Sequence, residues 1–174
     1  MTRDVSASVR GRLENIAKQS KRPLQELMQY FAMEKFLFRL SQSEHAERFV
    51  LKGALMFTVW GTAQSRATRD IDLLARADNS VDGMTRRIME VSQQAVEPDG
   101  VRFVAESVRG AIIKENAEYS GVRVSFDAKI QNARLPMQID IGFGDIIYPN
   151  PSVITYPAML DFESPQLIGY PKET

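Results

Sequence analysis

Arg66-Ala67-Thr68-Arg69-Asp70-Ile71-Asp72-Leu73-Leu74 is the stretch on which the reading of this 174-residue chain turns. From Asp70 onward acidic and apolar residues alternate, which is the period of a β-strand. One face then carries the carboxylates of Asp70 and Asp72, and the other carries Ile71 and Leu73. Residues two apart on a strand sit about 6.5–7 Å apart at Cα. Acids at that spacing can lean towards shared divalent cations, which in two-metal sites lie about 3.5–4 Å apart. The plainer alternative is a solvated edge strand with two surface acids.

Working outward, Gln64 to Arg69 reads as the loop entering this strand. Arg66 and Arg69 put positive charge beside the acids, for charge balance or for binding phosphate. Thr68 shares the acidic face if the strand starts early. Further upstream, Phe49-Val50-Leu51 reads as a short apolar strand, followed by Lys52-Gly53-Ala54 and a helix from Leu55 to Trp60 that stops at Gly61. A glycine turn between strand and helix presents backbone N–H groups that attract phosphate. One glycine is also compatible with an ordinary turn.

Downstream, Met137 to Phe143 again has strand period. Met137, Ile139, Ile141 and Phe143 share one face; Gln138, Asp140 and Gly142 share the other. If this strand lies beside the Asp70 strand, three carboxylates converge. Unpaired, they would repel one another at considerable cost. A divalent cation removes that cost, and two can bridge a triphosphate and polarise its α-phosphorus. The third carboxylate can also help take the proton of an incoming hydroxyl.

The remaining chain supplies support. Ser8 to Lys18 has helical spacing, Pro23 suits the start of a second helix, and Leu24 to Leu40 carries a wide apolar stripe expected to face the core. His45 reads as a surface residue. Met84 to Ala95 is expected to be helical. Val101 to Glu106 reads as a strand, Val108 to Lys114 is ambiguous, and Val122 to Ile130 alternates cleanly as a sheet strand. Asn132 to Pro136 reads as a loop. The last segment contains Pro149, Pro151, Pro157, Pro165 and Pro171 and reads as extended, with a helical turn near Ala158–Asp161.

Composition narrows the chemistry. Lys and Arg (22) balance Asp and Glu (22), so no bulk charge draws the chain to nucleic acid or membrane. The absence of cysteine excludes disulfides and thiolate metal sites, and a single histidine excludes an imidazole-rich zinc site. A metal here is therefore expected to be hard and oxygen-bound, magnesium or manganese. The N-terminus lacks a signal peptide's apolar run and no stretch is long enough to cross a bilayer, so a cytoplasmic protein is expected. Other aspartate-pair chemistries fit less well. A haloacid-dehalogenase-type site wants Thr or Val where Leu74 stands, and an EF-hand loop wants further oxygen ligands and a glycine. A sugar-transfer Asp-x-Asp site matches the pair alone; the glycine turn and Asp140 argue against it.

Three segments in this order resemble the AbiEii/AbiGii toxin family of nucleotidyltransferases: Leu51-Lys52-Gly53-Ala54, Arg66 to Leu73, and Gln138-Ile139-Asp140-Ile141-Gly142-Phe143-Gly144-Asp145. Val153-Ile154-Thr155-Tyr156-Pro157 and Gly169 to Thr174 are similar to the same family. The resemblance runs from about Phe49 to the last residue. It implies an α+β, DNA polymerase β-like nucleotidyltransferase fold, a short mixed sheet packed with helices. The implied organisation is an N-terminal helical region (1–48), a nucleotidyltransferase core (49–148) and an extended proline-rich tail (149–174).

The resemblance also implies function. Asp70 and Asp72 would hold Mg2+ or Mn2+, with Asp140 as the third carboxylate. Thr68 and the Gly53–Ala54 turn would contact the phosphates of a nucleoside triphosphate, with Lys52 and Arg66 as further basic contacts. The family consists of toxins of abortive-infection or toxin–antitoxin pairs, some relatives adding nucleotides to tRNA, so a cognate antitoxin is an expected partner. Ala54 departs from the family's usual Gly or Ser, which keeps the backbone N–H and loses a hydroxyl. Family members usually run on past the position of Thr174 into a basic, triphosphate-binding half. The chain is therefore expected to be a fragment whose exposed apolar surface a dimer or other oligomer would cover; the alternative is a naturally short member whose missing part comes from another chain. Two other outcomes are a non-catalytic interaction module of the same fold and a metal-dependent phosphohydrolase.

Overall fold

The computed structural model describes residues 4–61, 68–75, 80–116, 119–144 and 151–170. Two long helices come first, α1 (Val5–Ser20) and α2 (Leu24–Gln42). Asp4 caps α1 by accepting from the Ala7 N–H, and Lys21 ends it in the left-handed region (φ 58°). Pro23 immediately precedes α2, where its missing N–H costs nothing. A 3-10 turn (Ala46–Arg48) leads into β1 (Phe49–Lys52), α3 (Leu55–Trp60) and β2 (Asp70–Ala75). Then follow α4 (Val81–Ser92), β3 (Arg102–Asn116), β4 (Tyr119–Ile130), β5 (Ala133–Phe143), β6 (Ser152–Thr155) and β7 (Gln166–Gly169).

The strands form one mixed sheet in the order β3-β4-β5-β2-β1-β7-β6. β2 is parallel to β5 and antiparallel to β1, and β1 is parallel to β7. Its seven strands make the sheet larger than the short one expected from sequence. One cause lies in the last segment, where β6 and β7 form an antiparallel pair that extends the sheet beyond β1. Its prolines fall at Pro151, Pro157 and Pro165, outside the paired residues, so they disguise two strands without breaking either. β3 is likewise one long strand where two segments were expected. Its register shifts between Val104 and Arg109 while β4 passes only from Asp127 to Ser125. The Asp127 N–H is satisfied there by the Ser107 hydroxyl at 2.9 Å.

Asn132–Pro136, expected as a loop, is mostly strand. Only Gln131 and Asn132 make the turn, and β5 starts at Ala133. Pro136 is tolerated because β2 begins beside Gln138, so no ladder partner on that side needs a Pro136 N–H.

Alternation sorts each strand into two faces. Leu51, Leu73, Ile141 and Val122 are lateral neighbours and belong to a single buried cluster. Val9 and Leu13 of α1, Phe31, Phe36 and Leu40 of α2, and Ile88 and Val91 of α4 complete that cluster. Phe36 meets Phe103 at 6.0 Å and Phe126 at 5.7 Å between ring centroids, tying helix to strands. Burying one such ring contributes about 1.5–3 kcal/mol. α2 is central: it buries even Glu34, Lys35 and Arg39, so its stripe serves the core, as expected.

His45 is corrected by the structure. It is 5% exposed, with its Nε2 2.9 Å from Glu90 Oε2 on α4. Polar sequence neighbours suggested a surface position; a partner 45 residues away permits burial.

Candidate active site

One residue along from the buried row, every central strand turns its other face outward. Lys52 pairs with Asp72, Asp72 with Asp140, and Asp140 with Arg123. Directly paired residues share a face, so β1, β2, β5 and β4 line up Lys52, Asp72, Asp140 and Arg123. Two cations flank two acids. Two residues along, Asp70 of β2 pairs with Gln138 of β5. Asp70, Asp72 and Asp140 therefore occupy one patch on one face, the adjacency on which the sequence reading depended.

Hydrogen bonds already hold two of these acids. Arg123 grips Asp140 with both prongs, Nε to Oδ1 at 2.8 Å and Nη2 to Oδ2 at 3.1 Å. Gln138 Nε2 donates to Asp70 Oδ1 at 2.9 Å. Burial raises the Asp70 carboxyl above the ordinary carboxylate range, and the neighbouring Asp140 charge adds to the rise; Arg123 and Arg69 oppose it. Arg123 is held more firmly protonated, first by its hydrogen bonds to Asp140, then by the charges of Asp140, Asp70 and Asp72, against partial burial. One guanidinium thus feels all three acids.

The donor set suits a hard divalent ion: three carboxylates, no sulfur and no imidazole. Asp70, Asp72 and Asp140 are the residues that would hold it. Among the described residues, the trio of ligand-type side chains whose ligand atoms all lie within 4.8 Å of one another is Glu44, His45 and Glu90. That trio joins the 3-10 turn region to α4. Of the three aspartates, Asp140 is paired with Arg123 and Asp70 accepts from Gln138.

Gly53 forms the turn after β1 with φ 77°, a conformation that strains any residue with a Cβ. A Cβ there would also lie 2.9 Å from Cβ and Cγ of Asp72 and closer still to its Oδ2. The glycine therefore lets backbone approach the Asp72 carboxylate. Gly53→Ala is expected to cost about 1–2 kcal/mol of stability through the left-handed φ. It should also displace the Asp72 carboxylate, against which the added Cβ would press. Thermal melting and a crystal structure of the variant check both, and an unmoved Asp72 would show that the turn does not set its position.

Ala54 follows Gly53 in helical conformation (φ −62°, ψ −30°), and the helix it opens is short, six residues. Thr68 lies before β2 rather than on it. Its N–H donates to Tyr30 Oη on α2 at 3.0 Å, and its Oγ1 accepts from the Asp70 N–H at 3.4 Å. It sits next to the acids, turned back onto the backbone. Arg66 lies outside the described residues.

Arg123 and Gln138 escaped the sequence reading as site residues. A signal existed for Arg123. The two-residue turn Gln131–Asn132 pairs Ile130 with Ala133, and that register carries through to Arg123 opposite Asp140.

An acidic patch at the centre of a mixed sheet, backed by helices and approached by a glycine turn, has the architecture of a nucleotidyltransferase. An H. pylori crystal structure provisionally described as a nucleotidyltransferase has a similar fold, with 14% identity over 86% of this chain and 55% of its own, TM-score 0.50. The crystal structure of JHP933 from Helicobacter pylori is 16% identical over 86% of this chain and 53% of its own, TM-score 0.49. This chain thus spans about half the length of the solved structures it matches. No curated protein matches it.

The family model for the nucleotidyl transferase AbiEii toxin of type IV toxin–antitoxin systems matches residues 35–173, and the chain belongs to that family. The match takes in α2 from Lys35, all seven strands and every described site residue.

Proposed function

We propose that this chain carries the catalytic acids of a divalent-metal-dependent nucleotidyltransferase, moving a nucleotide from a nucleoside triphosphate to an acceptor hydroxyl. The supporting observation is the lateral run Lys52, Asp72, Asp140, Arg123 across four adjacent strands, with Asp70 beside it. The acceptor oxygen forms a bond to the α-phosphorus, the bond from that phosphorus to the α–β bridging oxygen breaks, and pyrophosphate leaves.

In this reading Asp70 and Asp72 hold Mg2+ or Mn2+ and Asp140 is the third ligand. The bound ion would supply Lewis-acid polarisation of the α-phosphate and neutralise phosphate charge. Asp140 would also help to take up the acceptor's hydroxyl proton. The Gly53–Ala54 backbone, Thr68, Lys52 and Arg66 are proposed phosphate contacts. Family membership supports a toxin role with a cognate antitoxin as partner, and tRNA is the first acceptor to test. Among the described residues no helix is long and apolar enough to cross a membrane.

The test supplies each of four α-labelled nucleoside triphosphates with Mg2+ and bulk tRNA. Label is expected to pass to RNA with release of pyrophosphate. Chelation should stop transfer, and added Mg2+ or Mn2+ should restore it. Triphosphate hydrolysis without transfer would mark a phosphohydrolase. Neither reaction from a folded chain, with antitoxin binding retained, would mark an interaction module.

A further inference from the structure

The contact between Arg123 and Asp140 raises a problem for the proposed reaction. A two-pronged guanidinium–carboxylate pair is among the stronger polar contacts, and here it occupies both oxygens of Asp140. A cation that needs Asp140 must compete with Arg123 for those oxygens. Asp140 is 14% exposed and Arg123 is 40% exposed, so the acid is fixed in the sheet while the guanidinium borders solvent. The partner able to move is the arginine. Once released, its charge would remain on the acid face one strand from Asp140, where a phosphate bound at the acids would pair with it.

We infer that Arg123 is an exchangeable counter-cation: it occupies Asp140 while the site holds no metal, yields it on divalent binding, and then contacts the triphosphate of the nucleotide. This rests on reading the acid patch as a nucleotidyl-transfer site. The same residue thereby serves two anions in turn. It neutralises a patch whose acids would otherwise repel, and it gives this chain a positive group for phosphate on β4, opposite Lys52 on β1.

The exchange predicts opposite effects of one substitution on two ligands. Mn2+ is titrated into the chain without nucleotide and the free ion is followed by electron paramagnetic resonance. Arg123→Gln is expected to bind Mn2+ about tenfold more tightly than wild type, because a competing positive charge is gone. With Mn2+ saturating, the same variant is expected to bind inorganic triphosphate about tenfold more weakly. Arg123→Lys, which keeps the charge and loses the fork, should fall between on both measures.

Unchanged or weaker Mn2+ binding in Arg123→Gln, with wild-type melting, overturns the exchange. So does unchanged triphosphate binding. Should Arg123→Gln fail to fold, Arg123→Lys carries the comparison, and wild-type values for both ligands overturn the proposal. Asp140→Asn separates this inference from the reading beneath it. Lost Mn2+ binding in Asp140→Asn with no change in Arg123→Gln sinks only the exchange. Mn2+ binding retained at wild-type strength when Asp70 and Asp72 are also changed to Asn sinks the transfer site itself.

Discussion

Asp72→Asn is expected to reduce nucleotidyl transfer by about a thousandfold or more while the protein stays folded. Asp72 stands at the middle of the site, with Lys52 paired on one side and Asp140 on the other. The backbone at Gly53 closes on its carboxylate, so the position is set to within the width of a methyl group. Asparagine keeps that volume and loses the charge. Losing one well-placed electrostatic contact in a preorganised site costs about a hundred- to a thousandfold in rate, and a metal-binding carboxylate belongs at the upper end. Stability should hold or rise, because removing one of three clustered acids relieves repulsion. Single-turnover transfer and thermal melting measured on the same preparation check both halves. Activity within about tenfold of wild type would remove Asp72 from the chemistry.

Arg39→Ala is expected to cost about 3–5 kcal/mol of folding stability, since it strands a buried charge. Arg39 leaves α2 and meets Asp99 with both prongs, Nη1 to Oδ2 at 2.9 Å and Nη2 to Oδ1 at 3.2 Å. Both side chains are almost wholly buried. The guanidinium also donates to the Val101 carbonyl at 3.1 Å and lies 4.7 Å from the Phe103 ring centre. It therefore fastens the central helix to the start of β3. Without it, Asp99 is left as a buried acid with no cation across from it. Combining Arg39→Met with Asp99→Asn should recover most of the loss. The amide carries no charge, and its oxygen can still accept from the Val101 N–H, which now donates to Asp99 Oδ1 at 3.1 Å. Urea denaturation of wild type, single and double variants measures this. A single variant as stable as wild type would show that the pair contributes nothing net.

The two substitutions probe different kinds of information in the chain. The Asp70–Asp72 pair could be read because strand alternation is local: a period of two places both acids on one face wherever the strand goes. The same rule exposed Asp140 on its polar face, and the glycine turn before α3 was visible from residue type. Family likeness placed these segments in one order. Helices α1, α2 and α4 were legible from apolar spacing for the same reason, since a helix forms its hydrogen bonds within itself.

Neighbours across the sheet were decided elsewhere. That β2 lies parallel to β5, in the register that puts Asp72 beside Asp140, depends on backbone pairing between residues 68 apart. Two weak-looking segments near the end became strands because β1 offered β7 an edge and β7 offered one to β6. His45 and Arg39 are buried charge-capable side chains that a local reading places at the surface; each is stabilised by an acid distant in sequence, Glu90 and Asp99. The clamp of Arg123 on Asp140 is of the same kind. Residue spacing along the chain specifies which face a side chain occupies; which charge stands across from it is settled only when strands pair, because Coulomb energy depends on distance in space and not on separation in sequence.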